Sequence, residues 1–71
     1  MESQVFHATG LTCGHCGNAV IDELSALDGV HEVGVDVHAG GESVITVTGD
    51  RAVTTEEVAA ALEEAGGYAL R

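Results

Sequence analysis

Residues 3–9, SQVFHAT, alternate, with Val5, His7 and Thr9 on one side and Gln4, Phe6 and Ala8 on the other. Period two, carried by a β-branched and an aromatic residue and running into Gly10, predicts a strand. The period then changes. From Cys16 the apolar positions are Val20, Leu24 and Leu27, widened by Ala19 and Ile21. That spacing is helical, and Asp28-Gly29 supplies an ending suited to a left-handed cap. Residues 30–38, VHEVGVDVH, return to period two, with Val33, Val35 and Val37 on one face. Ala39-Gly40-Gly41-Glu42 reads as a hairpin connection. Residues 43–49, SVITVTG, form the next strand, although Val44, Ile45 and Val47 do not share a side and leave its inward face open. Thr54 followed three residues later by Glu57 is a capping-box signature. Val58, Ala61, Leu62 and Ala65 give a helical stripe that Gly66-Gly67 ends. Residues 68–71, YALR, close the chain as a short strand.

The predicted order is strand, helix, strand, strand, helix, strand. Right-handed crossovers laid on one sheet face turn that order into an α+β, ferredoxin-like βαββαβ sandwich, a four-stranded antiparallel sheet with two helices on one face. No linker or repeat interrupts it, so residues 1–71 are expected to form one domain, and a free-standing one. No basic segment leads into an apolar run, as a signal peptide would require, and no apolar run nears the ~18 residues of a membrane span. The expected location is the cytoplasm, without membrane insertion.

Charge narrows the partners. Twelve Asp and Glu face two Arg and no Lys, a formal charge of −10. Nucleic-acid backbones and anionic membranes repel such a chain, whereas a cation or a cationic protein surface does not. The acids are scattered, as on a solvated surface, and composition alone does not separate solubility from steering.

The remaining chemistry sits in residues 10–20, GLTCGHCGNAV. Cys13 and Cys16 flank Gly14 and His15 where a loop meets a predicted helix N-terminus, whose free N–H groups favour thiolates. Two cysteines are too few for a disulfide scaffold, and reducing surroundings weaken a disulfide reading. A thioredoxin-like redox pair is the standard rival for this spacing. That fold ordinarily sets a cis-proline against its cysteines, and this chain has no proline. Zn²⁺ prefers four ligands. Two soft thiolates suit Cu(I), which accepts two or three sulfurs, and few ligands on an exposed loop suit passing the ion on. His7, His31 and His38 fall on strands or strand ends away from the loop and are not assigned as ligands. No phosphate loop and no catalytic constellation is present, so the chain is read as a non-enzyme.

GLTCGHC resembles the GMTCxxC signature of heavy-metal-associated domains, the family of small copper chaperones and of the N-terminal modules of copper-transporting P-type ATPases. The likeness extends through Val20 and Leu24, LDGV at 27–30, the strand at Val33 and Val35, VTGD at 47–50 and EEAGGYAL at 63–70. It implies the ferredoxin-like fold and a Cu(I) chaperone, most similar to the small bacterial ones, whose Cys13 and Cys16 pass the ion to the metal-binding domain of a copper-transporting P-type ATPase. It also implies a monomer without metal and a copper-bridged dimer as a further state, in which His15 would add a ligand. Leu11 stands where the family usually has a Met that anchors the loop in the core, and is expected to serve as that anchor. Thr12 matches copper-type loops, whereas Asp there would resemble zinc and cadmium modules. Tyr68 falls where bacterial copper chaperones carry a Tyr near the metal loop. Its AGGY context has one glycine more than the common AGY, which leaves its distance from the loop open. The alternatives to a copper chaperone are a thiol–disulfide redox protein and a carrier of another soft metal, Zn, Cd or Hg.

Overall fold

The computed structural model of the chain describes residues 2–71. The elements run β1 (Glu2–Thr9), α1 (Gly14–Ser25), β2 (Val30–Asp36), β3 (Ser43–Gly49), α2 (Thr55–Gly66) and β4 (Ala69–Leu70). The strands form one antiparallel sheet in the order β2-β3-β1-β4. This is the ferredoxin-like arrangement that the periodicity predicts.

The register fixes which side chains face the helices. Phe6 pairs with Ile45 and Ala8 with Ser43, and Val33 and Val35 lie opposite Val47 and Ile45. Ala8, Ile45 and Val47 are buried, together with Val20 and Leu24 of α1 and Val58, Ala61 and Leu62 of α2. The inward face of β3, ambiguous from its run of apolar residues, is therefore Ser43, Ile45, Val47 and Gly49, while Val44 lies on the other side. Buried Ser43 is satisfied because its Oγ accepts the His38 N–H at 3.0 Å. Val5, on the opposite face of β1, is 58% exposed.

Three boundaries differ from the expected ones. α1 stops at Ser25 with a right-handed Ala26, ahead of Asp28-Gly29. Gly29 is left-handed, at φ +84°, but it turns the chain into β2 and does not cap the helix. β2 ends at Asp36, because the chain leaves the ladder to meet Ser43, although Val37 still packs against the core. Within YALR the ladder holds Ala69 and Leu70, followed by the Arg71 N–H donating to the His7 carbonyl at 2.7 Å.

The turn at residues 26–29 is braced from across the molecule. The Asp50 N–H donates to the Gly29 carbonyl at 2.8 Å, and Arg51 Nε donates to the Asp28 carbonyl at 2.9 Å. The Arg51 guanidinium also grips both carboxylate oxygens of Glu57, at 2.9 and 2.8 Å. Glu57 completes the capping box by accepting from the Thr54 N–H. The Arg51 hydrogen bonds, then the Thr54 amide, hold the Glu57 carboxyl at about 2, below its ordinary 4.5. A depressed carboxyl contributes stability that is complete above its ordinary value, so this contribution fades as pH falls from 4.5 towards about 2.

Gly49 lies directly against this brace. A Cβ there would overlap the Gly29 carbonyl and come within 3.0 Å of Val30 Cα, so two backbones would have to separate. Gly49→Ala is expected to cost about 2 kcal/mol in denaturant unfolding, the usual scale of overpacking. Gly34→Ala faces open space, and should stay within about 0.5 kcal/mol of the parent.

Candidate metal site

Leaving β1, the chain turns at Gly10, whose φ of +99° is left-handed. It then drives Leu11 into the core, where that side chain is 1% exposed. Leu11 thus anchors the loop. Thr12 and Cys13 follow on the surface, and α1 begins at Gly14 with Cys13 as its N-cap, extended at φ −156° and ψ 176°. Buried Gly17 seats this first turn on the sheet, since a Cβ there would come within 3.0 Å of Val37 Cγ2. Periodicity did not single out Gly17; its signal was a bare residue inside the helical stripe, directly after a cysteine.

The two thiols are free, Cys13 exposed and Cys16 half-buried, with their sulfurs 3.8 Å apart. Backbone geometry sets that spacing. The Cys13 carbonyl accepts from the N–H groups of Cys16 at 3.1 Å and Gly17 at 3.3 Å, which closes the first helical turn and brings residue 16 back over residue 13. Thr12 Oγ1 lies 3.8 Å from Cys16 Sγ.

The electrostatics favour anionic sulfur. α1 has no side-chain cap bond and no acid in its first turn, whereas α2 has a capping box and both Glu56 and Glu57. The positive end of α1 is therefore left to the cysteines. The Cys16 thiol is lowered to about 6 from an ordinary 9.0, first by the Thr12 backbone amide and next by hydrogen bonding from the Tyr68 hydroxyl. Cys16 in turn raises Tyr68, chiefly through the same hydrogen bond. The extra glycine of AGGY thus does not remove Tyr68 from the loop. Along the chain, residues 3–21 hold no Asp, Glu, Lys or Arg, so a chain of charge −10 keeps its carboxylates out of the thiol-bearing segment.

The structure places Leu11, Thr12, Cys13, Cys16 and Tyr68 together. His15 lies exposed on the same helical turn. The other histidines sit beside carboxylates elsewhere: His31 at 2.9 Å from Asp50, His38 at 3.0 Å from Asp36 and His7 at 3.7 Å from Glu42. Among the described residues, no cluster of three or more His, Cys, Asp or Glu side chains is placed to hold a metal ion. No helix among them is long and apolar enough to cross a membrane.

Residues 5–68 match the heavy-metal-associated domain. The chain is 35% identical over 66 residues to the copper chaperone CopZ of Bacillus subtilis (strain 168), covering 93% of each protein. It is 32% identical over 66 residues to the copper chaperone CopZ of Staphylococcus aureus (strain Newman), covering 93% of this chain and 94% of that one. Among solved structures, a CopZ metallochaperone superposes with a TM-score of 0.81 at 28% identity, over 99% of this chain and 100% of the other. The yeast copper transporter domain Ccc2a, solved in apo and Cu(I)-loaded states, shares the fold at a TM-score of 0.77 and 24% identity, over 100% of this chain and 96% of that one.

In a Cys13→Ser variant Cys16 is the remaining thiol, and its thiolate absorbance reports on it alone. The absorbance is expected to rise with a midpoint near pH 6. A midpoint near the ordinary 9.0 would show that the helix entry does not favour the thiolate.

Proposed function

The chain belongs to the heavy-metal-associated domain family, and from that membership and the geometry of its thiols we propose that it is a Cu(I) chaperone of the cytoplasm. Cys13 and Cys16 hold one ion and deliver it to the metal-binding domain of a copper-transporting P-type ATPase. The observation that carries the reading is the pair of sulfurs 3.8 Å apart at an uncapped helix N-terminus, one exposed and one half-buried. Relatives more than 30% identical bear the name copper chaperone.

The chemistry follows from the donors. Two thiolates are soft ligands that select Cu(I), and two sulfurs satisfy that ion while leaving a Zn²⁺ tetrahedron half built. The sulfurs stand 3.8 Å apart with Cys13 exposed, so both would be open to one ion from the surface side of the loop. A partner cysteine enters there: its sulfur bonds to the ion as its proton leaves, and a sulfur of this chain then departs and takes up a proton. Copper stays Cu(I) throughout, and no covalent bond of a substrate is made or broken, so the activity is carriage and not catalysis.

Cys16 starts this cycle as a thiolate at neutral pH. Leu11 holds the loop against the core and Thr12 supports Cys16. Tyr68 offers a hydroxyl that steadies the Cys16 thiolate, and its ring shields the ion once bound. His15, exposed beside the pair, is a ligand only where two copies share copper, and without metal the chain is a monomer. The acids outside residues 3–21 give a long-range field that favours a basic partner surface. The lowered Cys16 thiol is also what a thiol–disulfide protein would show, so the test must read copper directly.

The test is an anaerobic Cu(I) titration of the reduced protein against a strong Cu(I) chelator. The parent is expected to retain about one copper per chain, and Cys13→Ser and Cys16→Ser each to lose it. Copper retained equally by either variant overturns the two-thiolate site. Complete loss to the chelator in the parent, with a Cys13–Cys16 disulfide of redox-active potential, supports the thiol–disulfide alternative.

A further inference from the structure

The Tyr68 ring, whose hydroxyl lowers the Cys16 thiol, lies against two residues that have no Cβ. A Cβ on Gly66 would stand 2.8 Å from both Cζ and Oη of Tyr68 and 3.0 Å from Cε2. A Cβ on Gly10 would stand 3.2 Å from Cδ1. One glycine lies at the hydroxyl end of the ring, the other near its root. Real Cβ atoms do not come as close as the 2.8 Å at Gly66, and the 3.2 Å at Gly10 is tighter than most, so the ring holds its place because both sites are bare.

The two glycines have different reasons to be there. Gly10 needs its left-handed φ of +99° in any case. Gly66 has no such need. It is the last residue of α2 and lacks a positive φ; the left-handed position that ends the helix is Gly67, at φ +74°. A helical glycine is worse than alanine by roughly 0.5–1 kcal/mol, so backbone preference argues against it. Its use lies in what crosses it. The Gly67 N–H donates to the Glu63 carbonyl at 3.0 Å, and the Tyr68 N–H turns back to the Leu62 carbonyl at 3.3 Å. That fold-back carries the tyrosine ring over Gly66 and towards the loop.

We propose that Gly66 is a positioning residue: its bare Cα is the seat over which the Tyr68 ring lies to set its hydroxyl at Cys16. Gly10 forms the second wall of that seat. The consequence for copper rests on the chaperone reading, whereas the placement of the ring does not. A chain with one Tyr and no Trp makes the placement directly readable.

The experiment compares the parent, Gly66→Ala, Tyr68→Phe and the double variant. Proton NMR of the metal-free parent is expected to show nuclear Overhauser contacts from the Tyr68 ring to the Gly66 α-protons and the Cys16 β-protons. Their absence in the parent overturns the seat without need of any variant. In Gly66→Ala, with the fold intact by thermal unfolding, the Cys16 contact should be lost; a retained contact overturns the proposal. Copper retention against the chelator should fall in Gly66→Ala by the same factor as in Tyr68→Phe, with no further fall in the double variant. Retention at the parental level in Gly66→Ala, once the ring contact is lost, overturns the role in copper handling. A parent that binds no copper overturns the chaperone reading, and the ring contacts then still decide the seat.

Discussion

The N–H groups of the first turn of α1 have no carbonyls ahead of them to bond, and that turn carries one cysteine as its N-cap, a second inside it and no carboxylate. The properties of the site descend from that arrangement. The helical turn fixes the sulfur separation, and its positive end favours the thiolate. The opposite solution stands in the same molecule, where α2 spends its N-terminus on Thr54, Glu56 and Glu57 and becomes a purely structural start. One fold thus holds two helix entries, one neutralised by its own side chains and one left for a ligand that the cysteines bring.

The body of the protein keeps that entry in place. Leu11 pins the loop from below, and Gly17 lets the first turn of α1 close on Val37. Tyr68 arrives from the other end of the chain, because β4 lies beside β1 and the chain between α2 and β4 folds back over Gly66. Arg51 fastens the far end of α1 to the start of α2 through the Asp28 carbonyl and Glu57. The loop is thereby exposed while its supports are buried or braced, a division suited to a ligand that must both bind and leave.

Much of this was legible in the residues. Period-two and helical stripes placed all six elements, and the Thr54–Glu57 spacing named a capping box that the structure contains. The CxxC spacing at a helix entry brought Cys13 and Cys16 together before any coordinates. What stayed hidden needed more than local pattern. Asp28-Gly29 resembles a helix cap, but α1 unwinds earlier because Leu27 packs against the core and Gly29 is held by Asp50. The inward face of β3 followed from its register with two neighbours, which its crowded apolar run could not specify. The seat of Tyr68 depends on two glycines 56 positions apart in a sequence of 71, and only the closed fold makes them neighbours.

The central claim is that copper is held here by sulfur alone, in few bonds, so that it can be handed on. X-ray absorption at the copper edge of protein loaded anaerobically with less than one equivalent of Cu(I) tests it most directly. The account predicts a first shell of sulfur scatterers from Cys13 and Cys16, with no imidazole signature. A nitrogen from His15 in that shell, or copper held without both cysteines, would contradict it.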